Sequence, residues 1–233
     1  MKAVILCGGY GTRLAEETKK IPKPMVKIGS KPILIHIMKI YSRYGVKDFI
    51  LATGYKKNII ENYFISKKYK NWNIKIIDTG LESFTARRLF KLKKYLKDEE
   101  NFYLTYGDGV SDINLHKVLK FHIKKKCVAT LTAVKPPARF GEIHLSNCLV
   151  KKFEEKNQVN SGWINGGFFV FNKKIFKYIP KKQCMLEKEP IQKLTYKREL
   201  VAYKHNSFWQ CMDTLRDKDL LNKMWKLGKK KWA

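Results

Sequence analysis

Apolar residues along the chain fall into short unbroken runs separated by amphipathic stretches. Residues 2–7 (KAVILC), 48–53 (DFILAT), 74–77 (IKII), 102–106 (FYLTY) and 127–134 (CVATLTAV) are rich in β-formers and suit the buried strands of a parallel sheet. Helical periodicity lies between them, at about 32–44, 57–65, 86–97 and 113–125. In the first of these, Ile33, Ile37, Ile40 and Tyr41 repeat at the spacing of a buried helix face. Strand–helix alternation predicts an α/β fold, a Rossmann-like three-layer arrangement around a mostly parallel sheet. Ligands in such sheets bind beyond the carboxyl ends of the strands, which directs attention to the loops after residues 7 and 106.

From about residue 139 the pattern loosens. GEIHL, LVKKFEE and WINGGFFVF read as strands, followed by helices near 173–178 and 186–196, a strand at 199–204 and a closing helix near 214–228. With no linker, repeat or low-complexity tract, the chain reads as one domain over 1–233, with a regular strand–helix part at 1–135 and a small lobe with the C-terminal helix at 136–233. The basic, aromatic ending GKKKWA is expected to be a frayed, solvated terminus.

A length of 233 residues with 44% hydrophobic content supports a sizeable core and excludes a disordered chain. No run approaches the roughly 18 unbroken apolar residues of a membrane span, and MKAVILCGG reads as a first strand, not a signal peptide. Five cysteines with neither C-x-x-C nor paired histidine spacing suggest no zinc site or disulfide framework, and a cytoplasmic setting. The formal charge of +29 raises the prospect of a polyanion binder. However, the basic residues are overwhelmingly lysine and are spread along the whole chain, which fits an ordinary enzyme with a lysine-rich surface.

The chemistry is concentrated in a few motifs. Gly8-Gly9-Tyr10-Gly11-Thr12-Arg13 follows the first strand directly, and glycines there let backbone N–H groups approach an anion. Neither the P-loop nor the dinucleotide fingerprint fits this loop. Arg13 and Lys23, the latter held between Pro22 and Pro24, add two cations suited to a triphosphate. Asp108 stands at the end of an apolar strand, and Asp213 precedes the last helix, where it or Thr214 could cap the helix. Together these carboxylates offer hard oxygens to Mg²⁺. No histidine among 36, 116, 122, 144 and 205 reads as catalytic.

MKAVILCGGYGTRL, followed by IPKPMVKIGSKPIL, resembles the sugar-1-phosphate nucleotidyltransferase family. DTG at 78–80, TYGDGVSDIN at 105–114, PPARFG at 136–141, INGGFFVFN at 164–172 and FWQCMDTLRDK at 208–218 look most like its glucose-1-phosphate cytidylyltransferase branch. The resemblance covers nearly the whole chain. It implies transfer of a cytidylyl group from CTP to a sugar 1-phosphate, glucose 1-phosphate first, with release of pyrophosphate and Mg²⁺ as cofactor. Such a reaction serves nucleotide-sugar biosynthesis for surface polysaccharide. Its partners would be CTP and a sugar phosphate, with no nucleic acid, no membrane and a possible homo-oligomer. The alternatives are another phosphate-monoester acceptor, or a non-catalytic polyanion-binding module.

By the same resemblance Arg13 and Lys23 are the catalytic cations. Leu6, Gly8, Gly9, Gly11, Thr12, Thr79, Gly80, Tyr106, Gly107 and Asp108 join them around the nucleotide. Phe140, Gly141, Glu155, Lys156, Asn165, Gly166 and Gly167 would hold the acceptor, and Asp108 and Asp213 the metal. The chain departs from that branch in lacking about twenty residues after Tyr63-Phe64. It also carries Ala86-Arg87 in place of a glycine pair and Asn157 in place of a proline. Arg87 and Arg88 are expected either to contact an acidic acceptor or to decorate a helix surface.

Overall fold

The computed structural model describes residues 1–67, 69–136, 142–146, 148–154 and 162–233. Phe140, Gly141, Glu155, Lys156 and Asn157 lie outside the described residues.

The apolar runs form one eight-stranded sheet. From one edge its order is Leu200–His205, Ala129–Val134, Phe169–Asn172, Asn101–Tyr106, Ala3–Leu6, Asp48–Thr53 and Asn73–Asp78. The two-residue strand Ile164–Asn165 also pairs with Ala129–Val134. Ala3–Leu6 lies parallel to both of its neighbours, with Leu6 opposite Ala52 and Tyr106. Phe169–Asn172 alone runs against both the strands it separates. Among the described residues no helix lies between Ala129–Val134 and Phe169–Asn172, and a right-handed helical crossover is what makes successive strands parallel.

Successive strand residues point to opposite faces, so each run of consecutive apolar residues feeds two cores. Ala3, Ile5, Phe49, Leu51 and Val170 pack on one face with Ile33–Ser42, Leu115–Lys125 and Leu215–Lys226. Val4, Leu6, Ile50, Ala52, Phe169 and Phe171 pack on the other with Thr85–Lys91, Lys173–Lys177 and Glu189–Tyr196. The three layers match the expected fold class. Among the described residues no helix is long and apolar enough to cross a membrane.

Two differences from the sequence expectation shape the site. The single predicted strand WINGGFFVF is split at Gly166-Gly167-Phe168. Gly167 and Phe168 take φ of 73° and 47°, and a Cβ on Gly166 would lie 2.7 Å from the Val134 side chain. Glycine permits both the close approach and the left-handed turn. The second difference is the C-terminus, which is not frayed. Trp232 is fully buried, stacks on Phe208 at 5.6 Å and donates its indole N–H to His36 Nδ1. Arg43 holds the Trp232 carbonyl. Burying an indole offsets the ordering of a lysine-rich tail.

Trp232→Ala is expected to lower unfolding stability by about 3–5 kcal/mol, the scale of a large buried aromatic truncated to alanine. A denaturant titration would read this, and an unchanged midpoint would show that the tail carries no packing energy.

Candidate active site

The carboxyl ends of Ala3–Leu6 and Asn101–Tyr106 open into two adjoining cavities. The ladder continues into both loops, with Cys7 N–H on the Ala52 carbonyl at 2.8 Å and Gly107 N–H on the Leu6 carbonyl at 3.1 Å. The first cavity, of about 370 Å³, is walled by Leu6 through Arg13, by Lys23, by Leu81–Thr85 and by Tyr106–Asp108. The second, of about 330 Å³, is walled by Asn165, Gly166, Glu187, Trp209, Cys211 and Asp213. Arg13, Tyr106 and Asp108 line both. Each volume falls within the range of small-molecule sites.

At the junction, the Lys23 ammonium sits between two carboxylates. It donates to Asp108 Oδ2 at 2.6 Å and to Asp213 Oδ1. Asp213 Oδ2 takes the Arg13 guanidinium at 2.5 Å. Burial pulls the Lys23 pKa down, but Asp108 and Asp213 outweigh it and hold the value above that of ordinary lysine. Local sequence explains how each group arrives. Pro22 and Pro24 flank Lys23 in a one-turn 3₁₀ segment, Lys23–Met25. Gly11, at φ 68°, turns the glycine loop into Thr12–Leu14. Thr214 caps the last helix in a reciprocal pair with Asp217, which leaves the Asp213 carboxylate free to face the cations. The choice left open by the sequence therefore falls to Thr214 as the cap.

Two converging carboxylates suit a hard divalent cation, which Mg²⁺ sites commonly take from one or two protein carboxylates and the substrate's phosphates. No group of three or more His, Cys, Asp or Glu converges among the described residues. An ion here would therefore rest on Asp108, Asp213 and oxygens of the ligand.

Leu6, Gly8, Gly9, Gly11, Thr12, Arg13, Lys23, Tyr106, Gly107 and Asp108 all line the first cavity. Thr79 and Gly80 do not. Thr79 is buried, donates to the Thr53 carbonyl at 2.6 Å and receives Arg88, whereas Leu81–Thr85 supply that wall. Asn165 and Gly166 reach the second cavity, and Gly167 turns away against the Tyr106 ring. Trp209 also lines it, with its indole N–H on the Gly166 carbonyl at 2.8 Å. His205 pairs with Asp112 at 3.0 Å and lies outside both cavities.

Three features carried no local sequence signal. Glu187 enters the second cavity, accepting from Tyr106 Oη and from Thr85 Oγ1 at 3.1 Å. Tyr10 donates to Glu82 at 2.5 Å, joining the glycine loop to the opposite wall of the first cavity. The third is Arg88, which neither decorates a surface nor faces the second cavity. Only 3% exposed, its guanidinium donates to the carbonyls of Gly8, Thr53, Gly80 and Leu81 and to Thr79 Oγ1 at 2.7–3.1 Å. Burial holds its pKa below the ordinary arginine value. Gly8 is required there, because a Cβ would fall 2.1 Å from the guanidinium. Arg87 instead lies over Phe90 at 5.3 Å.

The family model described as nucleotidyl transferase matches residues 2–226. The glucose-1-phosphate cytidylyltransferase of Salmonella typhi is 45% identical over an alignment of 253 positions, covering 100% of this chain and 98% of the relative. The probable glucose-1-phosphate cytidylyltransferase of Bacillus subtilis is 42% identical, covering 100% and 99%. An alignment longer than the chain agrees with the shorter stretch noted after Tyr63-Phe64. Among solved structures, HddC of Yersinia pseudotuberculosis superposes with a TM-score of 0.75 at 23% identity, covering 96% of this chain and 99% of that one. The inositol-1-phosphate CTP transferase of T. maritima does so at 0.73 and 18%, covering 99% and 95%. At those identities the likeness shows a shared fold.

Arg88→Met removes one donor from five acceptors on three loops and is expected to cost about 3 kcal/mol of stability. It should also speed hydrogen exchange at residues 8–13 and 79–83, with Arg88→Lys falling between. Unchanged exchange in those loops would contradict the bracing role.

Proposed function

This chain belongs to the nucleotidyl transferase family, and on that premise we propose that it is an enzyme joining CTP to a sugar 1-phosphate, glucose 1-phosphate first, to give a CDP-sugar and pyrophosphate. The observation that carries the reading is the pair of adjoining cavities sharing Arg13, Tyr106 and Asp108. A donor and an acceptor held on either side of one charged junction meet where the bond must form.

The donor takes the first cavity. The glycine loop offers its N–H groups to the triphosphate, and Leu81–Thr85 face the base. The acceptor takes the second, where Asn165, Glu187 and Trp209 supply hydrogen-bonding groups and a ring suited to a sugar. Phe140, Gly141, Glu155 and Lys156 are assigned to the same acceptor. The acceptor's phosphate oxygen is already ionised near neutrality, so the reaction needs no general base. It attacks the α-phosphorus of CTP, the bond to the bridging oxygen breaks, and pyrophosphate leaves with the electron pair. The barrier lies in bringing two anions together, so positioning and charge neutralisation dominate.

Arg13, 73% exposed at its side chain, is free to leave Asp213 and follow the leaving pyrophosphate. Lys23 is held more rigidly and neutralises the phosphates at the centre. Mg²⁺, held by Asp108 and Asp213 with the nucleotide's phosphates, would supply further neutralisation and orientation of the triphosphate. The five free cysteines support a reducing, cytoplasmic setting. The product is an activated glycosyl donor of the kind that polysaccharide assembly consumes.

Arg13→Ala and Lys23→Ala are each expected to lower turnover by roughly 10²- to 10³-fold, the scale of one lost charge contact to the transition state. Arg13→Ala should leave thermal stability unchanged, because that side chain is exposed. Near-normal rates in either would overturn their roles. The reaction itself is tested by a Mg²⁺-dependent pyrophosphate-release screen of four NTPs against glucose 1-phosphate and other phosphate monoesters. CTP with glucose 1-phosphate should lead. Preference for UTP or dTTP would overturn the cytidylyl assignment, and no release with any pair would overturn the enzyme.

A further inference from the structure

In the wall that Leu81–Thr85 give the first cavity, Glu82 is the charged residue. The polar atoms of its neighbours are already engaged. Leu81 and Phe84 present apolar side chains, and the Leu81 carbonyl takes Arg88 at 3.1 Å. The Ser83 hydroxyl donates to the Thr79 carbonyl and receives Lys91 at 3.2 Å. Thr85 Oγ1 donates to Glu187 and receives the Leu186 N–H at 2.7 Å. Glu82 accepts from Tyr10 Oη at its Oε1, and its Oε2 has no hydrogen-bond partner among the described residues. That oxygen is the polar side-chain atom this wall leaves for a ligand.

The carboxylate is also held from both sides. Arg88 fixes the turn that carries it, through the carbonyls of Gly80 and Leu81 at 2.8 and 3.1 Å. From the glycine loop, the Tyr10 ring lies against Tyr55 with 5.2 Å between centroids. Tyr55 is anchored in turn by its hydroxyl on the Thr18 carbonyl at 3.0 Å and its N–H on the Gly8 carbonyl at 3.2 Å. The hydrogen bond to Glu82 raises the Tyr10 pKa above that of ordinary tyrosine, so the phenol keeps its proton and acts as the donor. With Tyr10 on Oε1, Oε2 is an oriented acceptor. Such an oxygen accepts from the 4-amino group of cytosine but meets the 4-carbonyl of uracil or thymine as a second acceptor. Selection then combines a bond made to one base with a repulsion against the others.

We propose that Glu82 is the residue that selects cytosine, accepting at Oε2 from the 4-amino group of the base, and that Tyr10 is its positioning residue. The proposal rests on the reading of the first cavity as the CTP site.

The test is calorimetric titration of the full chain with CTP and with UTP, each with Mg²⁺ and without acceptor. Pyrophosphate release with glucose 1-phosphate is measured beside it. CTP should bind the wild type roughly 10- to 100-fold more tightly than UTP, the scale of one good base contact. In Glu82→Gln, Tyr10 holds the amide oxygen and turns the amide N–H groups to the base. The CTP:UTP ratio should therefore fall at least about tenfold, with UTP gaining. In Tyr10→Phe/Glu82→Gln the amide is free to rotate, so part of the preference for CTP should return. Thermal midpoints should match the wild type, because both side chains are exposed. The proposal is overturned if Glu82→Gln keeps the wild-type ratio, or if CTP and UTP weaken together, which would place the carboxylate on the ribose. No recovery in the double variant would overturn the part given to Tyr10. A wild type that binds UTP as tightly as CTP would overturn the proposal together with the cytidylyl reading. Selective CTP binding without pyrophosphate release would overturn the enzyme reading alone, and the binding ratios would still decide the role of Glu82.

Discussion

The Lys23 ammonium between Asp108 and Asp213 is the contact on which the rest of the site depends. Its positive charge offsets the repulsion of two converging carboxylates and ties together three chain segments distant in sequence. Asp108 ends a central strand, Lys23 stands on a proline-flanked turn, and Asp213 precedes the last helix. Fastening them together closes the C-terminal part of the chain over the carboxyl end of the sheet. The same contact leaves Asp213 Oδ2 for Arg13, so the exposed cation is parked at the junction of the two cavities. The charges are thus arranged before any phosphate arrives, and this pre-arrangement is what electrostatic catalysis requires.

A second constraint lies behind the first. Arg88 has five acceptors, yet no carboxylate pairs with it among the described residues. Carbonyls from the glycine loop, the Asp48–Thr53 strand end and the 79–81 turn, together with Thr79 Oγ1, take hydrogen bonds from both of its terminal nitrogens. The cost of burying a guanidinium is met by hydrogen bonds that hold those three loops at fixed separation. The walls of the first cavity are braced by a nearly buried charge in its lining, and Gly8 is the residue that leaves room for it.

Much of the fold could be read from the sequence, because continuous apolar runs and helical periodicity report burial directly. The five predicted strands of the first half and the closing helix appear near their expected bounds. The glycine loop, Lys23, Asp108 and Asp213 were also legible, since each stands at a strand or helix end and matches a specific motif. What escaped were features decided by tertiary contact. The burial of Arg88 depends on acceptors up to 80 residues away, and nothing adjacent to it marks an interior position. Glu187 reaches the second cavity from a stretch that read only as the start of a helix. Trp232 lies in a tail whose lysines suggested solvent, while its own ring finds Phe208 and His36. Thr79 and Gly80 carry a recognisable motif, but they act behind the cavity wall by receiving Arg88.

The formal charge of +29 has a narrower meaning at the site. Among the described residues, Arg13 and Lys23 are the cations paired with Asp108 and Asp213 where the two cavities meet. The wider excess raises the general attraction for anionic substrates. Asp108 and Asp213 are proposed to form a cation site shared with the nucleotide. Titrating Mn²⁺ into the chain with CTP present, and following free Mn²⁺ by paramagnetic resonance, tests it most directly. One tight, nucleotide-dependent ion per chain, lost in both Asp108→Asn and Asp213→Asn, is the predicted result. Equal binding by the wild type and both variants would contradict it.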